Sequence, residues 1–352
     1  MSRDASNRED GTVLLSTLLV LALMSAVALG LLATVRTAIT RATSLEAQAQ
    51  TDLYAQGARD FVQLQLDQFR SVEGSQLNAA LATAEPALLP FDNGNIELRI
   101  ADGTQCMRLS ALTDTNGEAQ DTEQLIFAAL MTALGVDGSR AERIAASIMD
   151  WVDADSQTRS LGAEDGVYLS RSDTQGGPHR TANTALQSVT ELRSIDGMDE
   201  ALFQQLLPYL CIGTVGAPTV FNIDGAQLWQ APVLAALLGS DPEAFQLATS
   251  LIEGRPSSGY GSSEALLASP ILEGFDTAGT QLASIVFAPQ RITAETLIRY
   301  SGVETAQFLA YEGVDTGRPT LTYRSDGWDE FPSLALARLD NQAGLNEEDA
   351  ER

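Results

Sequence analysis

TVLLSTLLVLALMSAVALGLLATV, residues 12–35, runs for 24 positions without a charged side chain. At ~1.5 Å rise per residue it makes a helix about 36 Å long, enough to cross a hydrocarbon core about 30 Å thick. A polar leader, MSRDASNREDG at residues 1–11, precedes it, and Arg36 ends it. A cleaved secretory signal has an apolar stretch of only about 7–15 residues followed by a small-residue cleavage site. The run is therefore read as a membrane helix, and a plain uncleaved anchor is its simplest account. The helix extends further, because residues 37–71 hold one glycine, Gly57, and no proline. Leu45, Ala49, Leu53, Phe61 and Leu64 give an imperfect helical stripe, with Gly57 in its gap, expected to face a soluble domain.

That soluble domain changes period twice. In residues 95–112, Ile96, Leu98 and Ile100 alternate, Asp102-Gly103 offers a turn, and Met107, Leu109 and Ala111 return, which predicts a hairpin. Residues 122–272 then read as short helices punctuated by glycine and proline. Strand patterns resume in residues 283–290, 291–302, 306–315 and 319–327. The expected fold class is α+β: a long N-terminal transmembrane helix, a small antiparallel sheet and a large all-α insertion. The expected division is 1–11 leader, 12–35 membrane helix, 36–112 and 283–330 core, 113–282 insertion, and 331–352 a polar acidic tail.

Composition excludes several chemistries. The 352 residues carry 21 cations, all arginine, against 47 acids, a net charge of −26. Without lysine there is neither a P-loop nor a Schiff base. One histidine, His179, and two cysteines, Cys106 and Cys211, cannot build a His-rich zinc site. A surface this acidic repels a phosphate backbone, so no nucleic-acid partner is expected.

Two motifs stand out in the helical stretch. The first is DWVDADSQTRSLGAED, residues 150–165, where Asp150, Asp153, Asp155, Glu164 and Asp165 meet a single Arg159. Carboxylates so close repel unless a cation or solvent separates them. Asp153, Asp155 and Glu164 stand at relative positions 1, 3 and 12, as ligands do in an EF-hand loop, but Gln157 and Thr158 break that pattern at positions 5 and 6. Hard oxygen donors on a flexible loop favour Ca2+ over Mg2+ or Zn2+; a solvated acidic loop is the alternative. The second is SVTELRSIDGMDEALFQQLLPYL, residues 188–210, laid out like a helix-hairpin-helix of the SAM-like kind. Asp196, Asp199 and Glu200 around Gly197 oppose phosphate there.

Gly11 directly before the apolar run resembles the class III leader of type IV pilins and type II secretion pseudopilins. In that superfamily a prepilin peptidase cuts after glycine on the cytoplasmic side, which would leave Thr12 as the new N-terminus. The leader departs from the usual basic pattern, since Asp4, Glu9 and Asp10 accompany Arg3 and Arg8. The fifth mature residue, usually glutamate, is here Ser16, as in the minor subunit K. The order Trp151-Val152-Asp153-Ala154-Asp155, Gly162-Ala163-Glu164-Asp165, Tyr168, Ala182-Asn183, Glu191-Leu192-Arg193 and Gly197-Met198 is similar to the minor pseudopilin K family of type II secretion. Family members often show Asn-Val-Asn-Thr-Ala where this chain reads Asn222-Ile223-Asp224-Gly225-Ala226.

The resemblance implies a pilin-like fold anchored in the inner membrane by a single pass, with its C-terminal domain in the periplasm. It implies assembly with minor pseudopilins I and J at a pseudopilus tip, and through them with the major pseudopilin. It also implies structural Ca2+, with Asp153, Asp155, Glu164 and Asp165 as expected ligands, Asp150 as a further candidate, and carbonyls near Ser160 and Leu161 completing the shell. An export-side location permits a Cys106–Cys211 disulfide, with two buried free thiols as the alternative. His179 and the tryptophans Trp151, Trp229 and Trp328 are expected to pack rather than react, and no catalytic residue is expected. Rival readings are a type IV pilus minor tip pilin and a membrane-anchored periplasmic calcium-binding protein or enzyme.

Overall fold

The computed structural model describes residues 6–69, 72–172, 177–314, 317 and 319–327. Helix α1, Ser6–Phe69, is one continuous helix of 64 residues, roughly 96 Å long at ~1.5 Å per residue. From Val13 to Ile39 every large apolar side chain on it is more than half exposed. Farther along, Ala47, Thr51, Ala55, Ala58, Val62 and Leu66 are buried, at spacings of three and four.

This stripe is not the expected one. Leu45, Leu53 and Leu64 are 65%, 61% and 57% exposed, so the large residues face outward and mostly small ones face the sheet. Small side chains let the helix backbone approach the strands closely, while the leucines are left for something outside the chain.

The sheet has five antiparallel strands in the order β1-β2-β7-β8-β9. Strand β1 is Ala87–Phe91 and β2 is Gly94–Asp102. Two-residue strands follow: β3, Met107–Arg108, parallel to β4, Leu210–Cys211, and β5, Phe221–Asn222, parallel to β6, Ile285–Val286. Long strands resume with β7, Arg291–Tyr300, β8, Val303–Glu312, and β9, Thr320–Asp326. The expectations for 291–302, 306–315 and 319–327 correspond to β7, β8 and β9. Residues 283–290 instead give only the short β6, which lies outside the main sheet.

The hairpin expected over 95–112 is corrected. Strand β2 pairs with β1 through Asp92 and Asn93, with Asn93 in the left-handed region at φ 65°. Its other neighbour is β7, and Asp102 lies opposite Ile292. The chain leaves the sheet at Asp102-Gly103 rather than turning back along it. Gly103 N donates to Arg291 O (3.0 Å), and the Thr104 hydroxyl accepts from the amides of Gln290 (3.0 Å) and Arg291 (3.2 Å). Residues 103–290 thus emerge from a two-strand neck and return through it.

On one sheet face Leu98, Ile292, Ala294, Leu309 and Tyr311 meet Val62 and Leu66 of α1 and Leu77 and Leu81 of α2, Gly74–Ala82. The inserted helices have their own core, in which Phe127, Leu130, Ile144, Ile148, Phe203, Phe221, Leu234 and Leu251 are at most 4% exposed. It is built by α3, Asp121–Ala133, α4, Gly138–Val152, α5, Asp165–Tyr168, α6, Glu200–Leu206, α7, Ala231–Leu238, and α8, Pro242–Glu253. The 188–210 motif folds as a 3-10 turn, Val189–Ser194, a left-handed Gly197 and α6.

Two polar contacts fix the insertion to the sheet, and a disulfide staples the insertion on itself just beyond the neck. Cys106 and Cys211 are joined by a disulfide across the β3–β4 pair, with Cα atoms 5.9 Å apart. The Glu312 carboxylate meets Arg108 (3.1 Å) and Arg291 (3.3 Å), and accepts from the Thr214 hydroxyl (2.7 Å). Asp102 accepts from Asn222 Nδ2 (2.7 Å) and Gln105 Nε2 (2.6 Å), while Asn222 also reaches Asn78 of α2 (2.7 Å). Burial pushes the Asp102 carboxyl up despite these bonds.

Candidate metal centre

The acidic motif begins inside α4. Asp137 caps that helix by accepting from Arg140 N, and its apolar face carries Ile144, Ile148 and Trp151 into the core. Asp150, on another side of the same helix, is also fully buried. Its two carboxylate oxygens accept from the backbone N of Arg159 at 3.1 and 3.2 Å. The loop can close over it only because residue 162 is glycine: a Cβ at that position would collide with the Asp150 carboxylate.

Asp153 follows α4 in extended conformation and is 5% exposed. Its Oδ2 lies 3.7 Å from Arg159 Nε, while its Oδ1 is buried with no hydrogen-bond partner. Burial, reinforced by Asp155, Asp150 and Glu164, pushes its carboxyl up to about 6. Glu164 caps α5 and is 6% exposed. Its Oε2 accepts from Asp165 N (3.3 Å) and the Thr181 hydroxyl (3.2 Å), whereas Oε1 is buried without a partner. Burial raises the carboxyls of Asp150 and Glu164 as well.

The remaining two candidates differ. Asp155 is exposed, and its Oδ1 accepts from Gln157 N (2.7 Å). Asp165 turns to the opposite strand of the loop, accepting from Thr181 N (3.0 Å) and pairing with Arg180. The Thr181 amide, its hydroxyl and Arg180 hold its carboxyl below the usual range. Thus Asp150, Asp153, Asp155 and Glu164 act on one another, while Asp165 adjoins Glu164, sharing the Thr181 hydroxyl with it, and is neutralised by Arg180. Among the described residues no three His, Cys, Asp or Glu side chains converge into a closed cation cage.

Residues outside the motif complete the site. Asn183 donates through Nδ2 to the Asp155 carbonyl (3.1 Å) and through its amide to the Trp151 carbonyl (2.9 Å), and its own Oδ1 is buried without a partner. Leu161 at φ 69° and Asn183 at φ 47° are two of the four non-glycine residues in the left-handed region among those described. Such backbone strain concentrates at functional sites. Thr181 and Asn183 escaped selection as site residues because 16 or more positions separate them from Glu164 and Asp165; the Ala182-Asn183 pair was the only signal. His179 stacks beside Trp151 (5.7 Å) and Tyr168 (5.2 Å), with Nδ1 2.9 Å from Gly177 O, and so packs.

The donor set suits a hard cation. Buried carboxylate oxygens at Asp153 and Glu164 and an amide oxygen at Asn183 lack donors, and oxygen-only ligation is what Ca2+ takes. There is no thiolate among them for a softer metal, since both cysteines are joined in the disulfide.

Residues 105–214 match the family model described as type II secretion system (T2SS), protein K. The chain is 33% identical over 271 residues to the type II secretion system protein K of Pectobacterium carotovorum subsp. carotovorum, covering 74% of this chain and 79% of that one. With the protein of that description from Klebsiella pneumoniae it shares 33% over 281 residues, covering 78% and 84%. Its fold is similar to a chain in the crystal structure of the GspK-GspI-GspJ complex from the enterotoxigenic Escherichia coli type 2 secretion system, with a TM-score of 0.65, 24% identity, and coverage of 82% of this chain and 100% of that chain. On the extent and identity of these matches, the chain belongs to the type II secretion system protein K family.

Proposed function

We propose that this chain is the minor pseudopilin at the tip of a type II secretion pseudopilus, where it starts assembly with minor pseudopilins I and J and helps export folded proteins across the outer membrane. The observation that carries this reading is α1. Its apolar half is covered by nothing among the described residues, and its sheet-packed half still turns Leu45, Leu53 and Leu64 outward. A helix so built is completed by lipid on one part and by neighbouring helices on the other. Cleavage by prepilin peptidase between Gly11 and Thr12 would free an amine, and Ser16 offers no carboxylate to a neighbour's amine. That absence suits a subunit with nothing above it, and the insertion on its two-strand neck would obstruct one. The expected orientation places the sheet and the insertion in the periplasm. Co-purification in detergent tests the assembly: the full chain is expected to retain I and J together, and its failure to retain either would remove the reading.

Structural Ca2+ belongs to the same proposal. Asp153, Glu164, Asp150 and Asp155 would hold it, with Asn183 adding an amide oxygen and Asp165 bracing the loop through Thr181. Bound Ca2+ supplies positive charge that cancels carboxylate repulsion and cross-links the two ends of the 150–165 loop. At a free concentration one hundred times Kd it stabilises by about 2.7 kcal/mol. The melting temperature is therefore expected to rise with calcium and fall with EGTA, with Asp153→Asn removing most of the rise. Identical melting curves with calcium and EGTA, on protein shown to hold metal beforehand, would sink the assignment.

A further inference from the structure

Arg159 is the one cation inside the acidic motif, and it forks. Its backbone N–H holds both oxygens of Asp150 (3.1 and 3.2 Å). Its guanidinium Nε points at the buried Asp153, 3.7 Å from Oδ2. Its Nη1 reaches out to α3, where it meets Asp121 Oδ1 (2.9 Å) and Gln124 Oε1 (3.5 Å). Asp121 is 78% exposed at its side chain, so this outer anchor is a weak surface pair. The inner contact faces carboxylates that are nine-tenths buried and keep unpartnered oxygens, Asp153 Oδ1 and Glu164 Oε1.

We infer that Arg159 is a built-in competitor for the cation. Its guanidinium bridges Asp121 and Asp153 in the metal-free loop; when a divalent ion arrives, Nε gives up Asp153 while the Asp121 contact holds the arm aside, so the Asp121–Arg159 pair sets the affinity of the site. The inference rests on the calcium assignment above. The physical reason is charge: a guanidinium within a few ångströms of the ligand oxygens repels a second cation and screens the carboxylates that attract it. An arm able to leave lowers that cost. The backbone N–H on Asp150 survives any side-chain change, so the loop's closure and the arm's charge can be separated by mutation.

The test is calorimetric titration of the full chain in detergent with CaCl2 in metal-stripped buffer, with circular dichroism as the fold control. Arg159→Gln is expected to bind Ca2+ roughly tenfold more tightly, because about 1.4 kcal/mol of repulsion is removed. Arg159→Lys keeps the charge and is expected to stay within about threefold of wild type, roughly 0.7 kcal/mol. Asp121→Asn loosens the outer anchor and is expected to weaken binding a few-fold, an effect that vanishes in the Arg159→Gln background. Wild-type binding with Arg159→Gln equal or weaker overturns this inference and leaves the calcium assignment standing. So does an Asp121→Asn effect that persists without the arginine. Absence of binding in all variants and wild type overturns both. Should Arg159→Gln fail the fold control, the Arg159→Lys and Asp121→Asn titrations decide by the same signs.

Discussion

Replacing Cys106 and Cys211 together by alanine is expected to cost about 4–5 kcal/mol of unfolding stability, the chain-entropy value for a closed loop of about 100 residues. The sequence separation here is 105. The loop closed by this bond takes in α3, α4, the acidic motif and α6, so it restrains the acidic loop as well as the neck. The β3–β4 pair that carries it is two residues on each strand, too short to hold its register by hydrogen bonds alone. One residue beyond Cys211, the Ile212 carbonyl accepts from Arg291 Nη1 (2.6 Å), so the staple also bears on the sheet. Denaturant unfolding of the oxidised wild type against the double alanine variant measures the effect. A loss under about 1 kcal/mol, or two thiols titrating in unreduced, denatured wild type, would count decisively against the staple.

The parts of this fold that were legible in the sequence are those whose partners are local or whose pattern is long. The span at 12–35 and the alternation in β7, β8 and β9 needed no knowledge of what lay opposite. The β2 alternation was equally plain, but its partner was not. Turn residues stand on both sides of it, Asp92-Asn93 before and Asp102-Gly103 after, and only the global topology chooses between them. Met107, Leu109 and Ala111 do alternate and are buried, yet Met107 and Leu109 enter the helical core rather than the sheet.

The stripe on α1 was misread for a related reason. The expected stripe of Leu45, Ala49, Leu53, Phe61 and Leu64 lies off the packed line, which runs through Ala47, Thr51, Ala55, Ala58, Val62 and Leu66, because spacing alone does not tell which face the sheet will take. At the acidic loop the carboxylate run itself was visible, including the odd arginine within it. The second wall, Arg180, Thr181 and Asn183, was not, because a folded loop joins residues that no short window contains. Asp165 shows the consequence: in sequence it resembles its neighbours, and in space it is tied to Thr181 and Arg180.

Glu312→Gln is expected to cost about 3–5 kcal/mol near neutral pH, the range for removing one partner of a buried ion pair. Glu312 lies between Arg291, which is fully buried, and Arg108, which is 5% exposed. Glutamine keeps the shape and can still accept from the Thr214 hydroxyl, so the loss isolates charge: two guanidinium groups would remain in a buried joint without the carboxylate that bridges them. Burial, with Arg108 beside it, already lowers the Arg291 guanidinium to about 10 in the presence of Glu312. Burial alone would raise the Glu312 carboxyl, but Arg108, Thr214 and Arg291 hold it below its ordinary value. A depressed carboxylate contributes stability that is fully present above its unfolded pKa, about 4.3, and is lost as pH falls through the lower folded value. Wild type and Glu312→Gln should therefore differ most near neutrality and converge in acid, as protonation of Glu312 makes the wild-type joint resemble the variant. Denaturant unfolding at neutral pH and again below about pH 4 reads both limbs. Equal stability at neutral pH would mean that the joint between sheet and insertion is held without the Glu312 charge, by contacts such as those of Asp102 with Asn222. A difference that persisted undiminished in acid would mean that Glu312 acts through packing rather than charge.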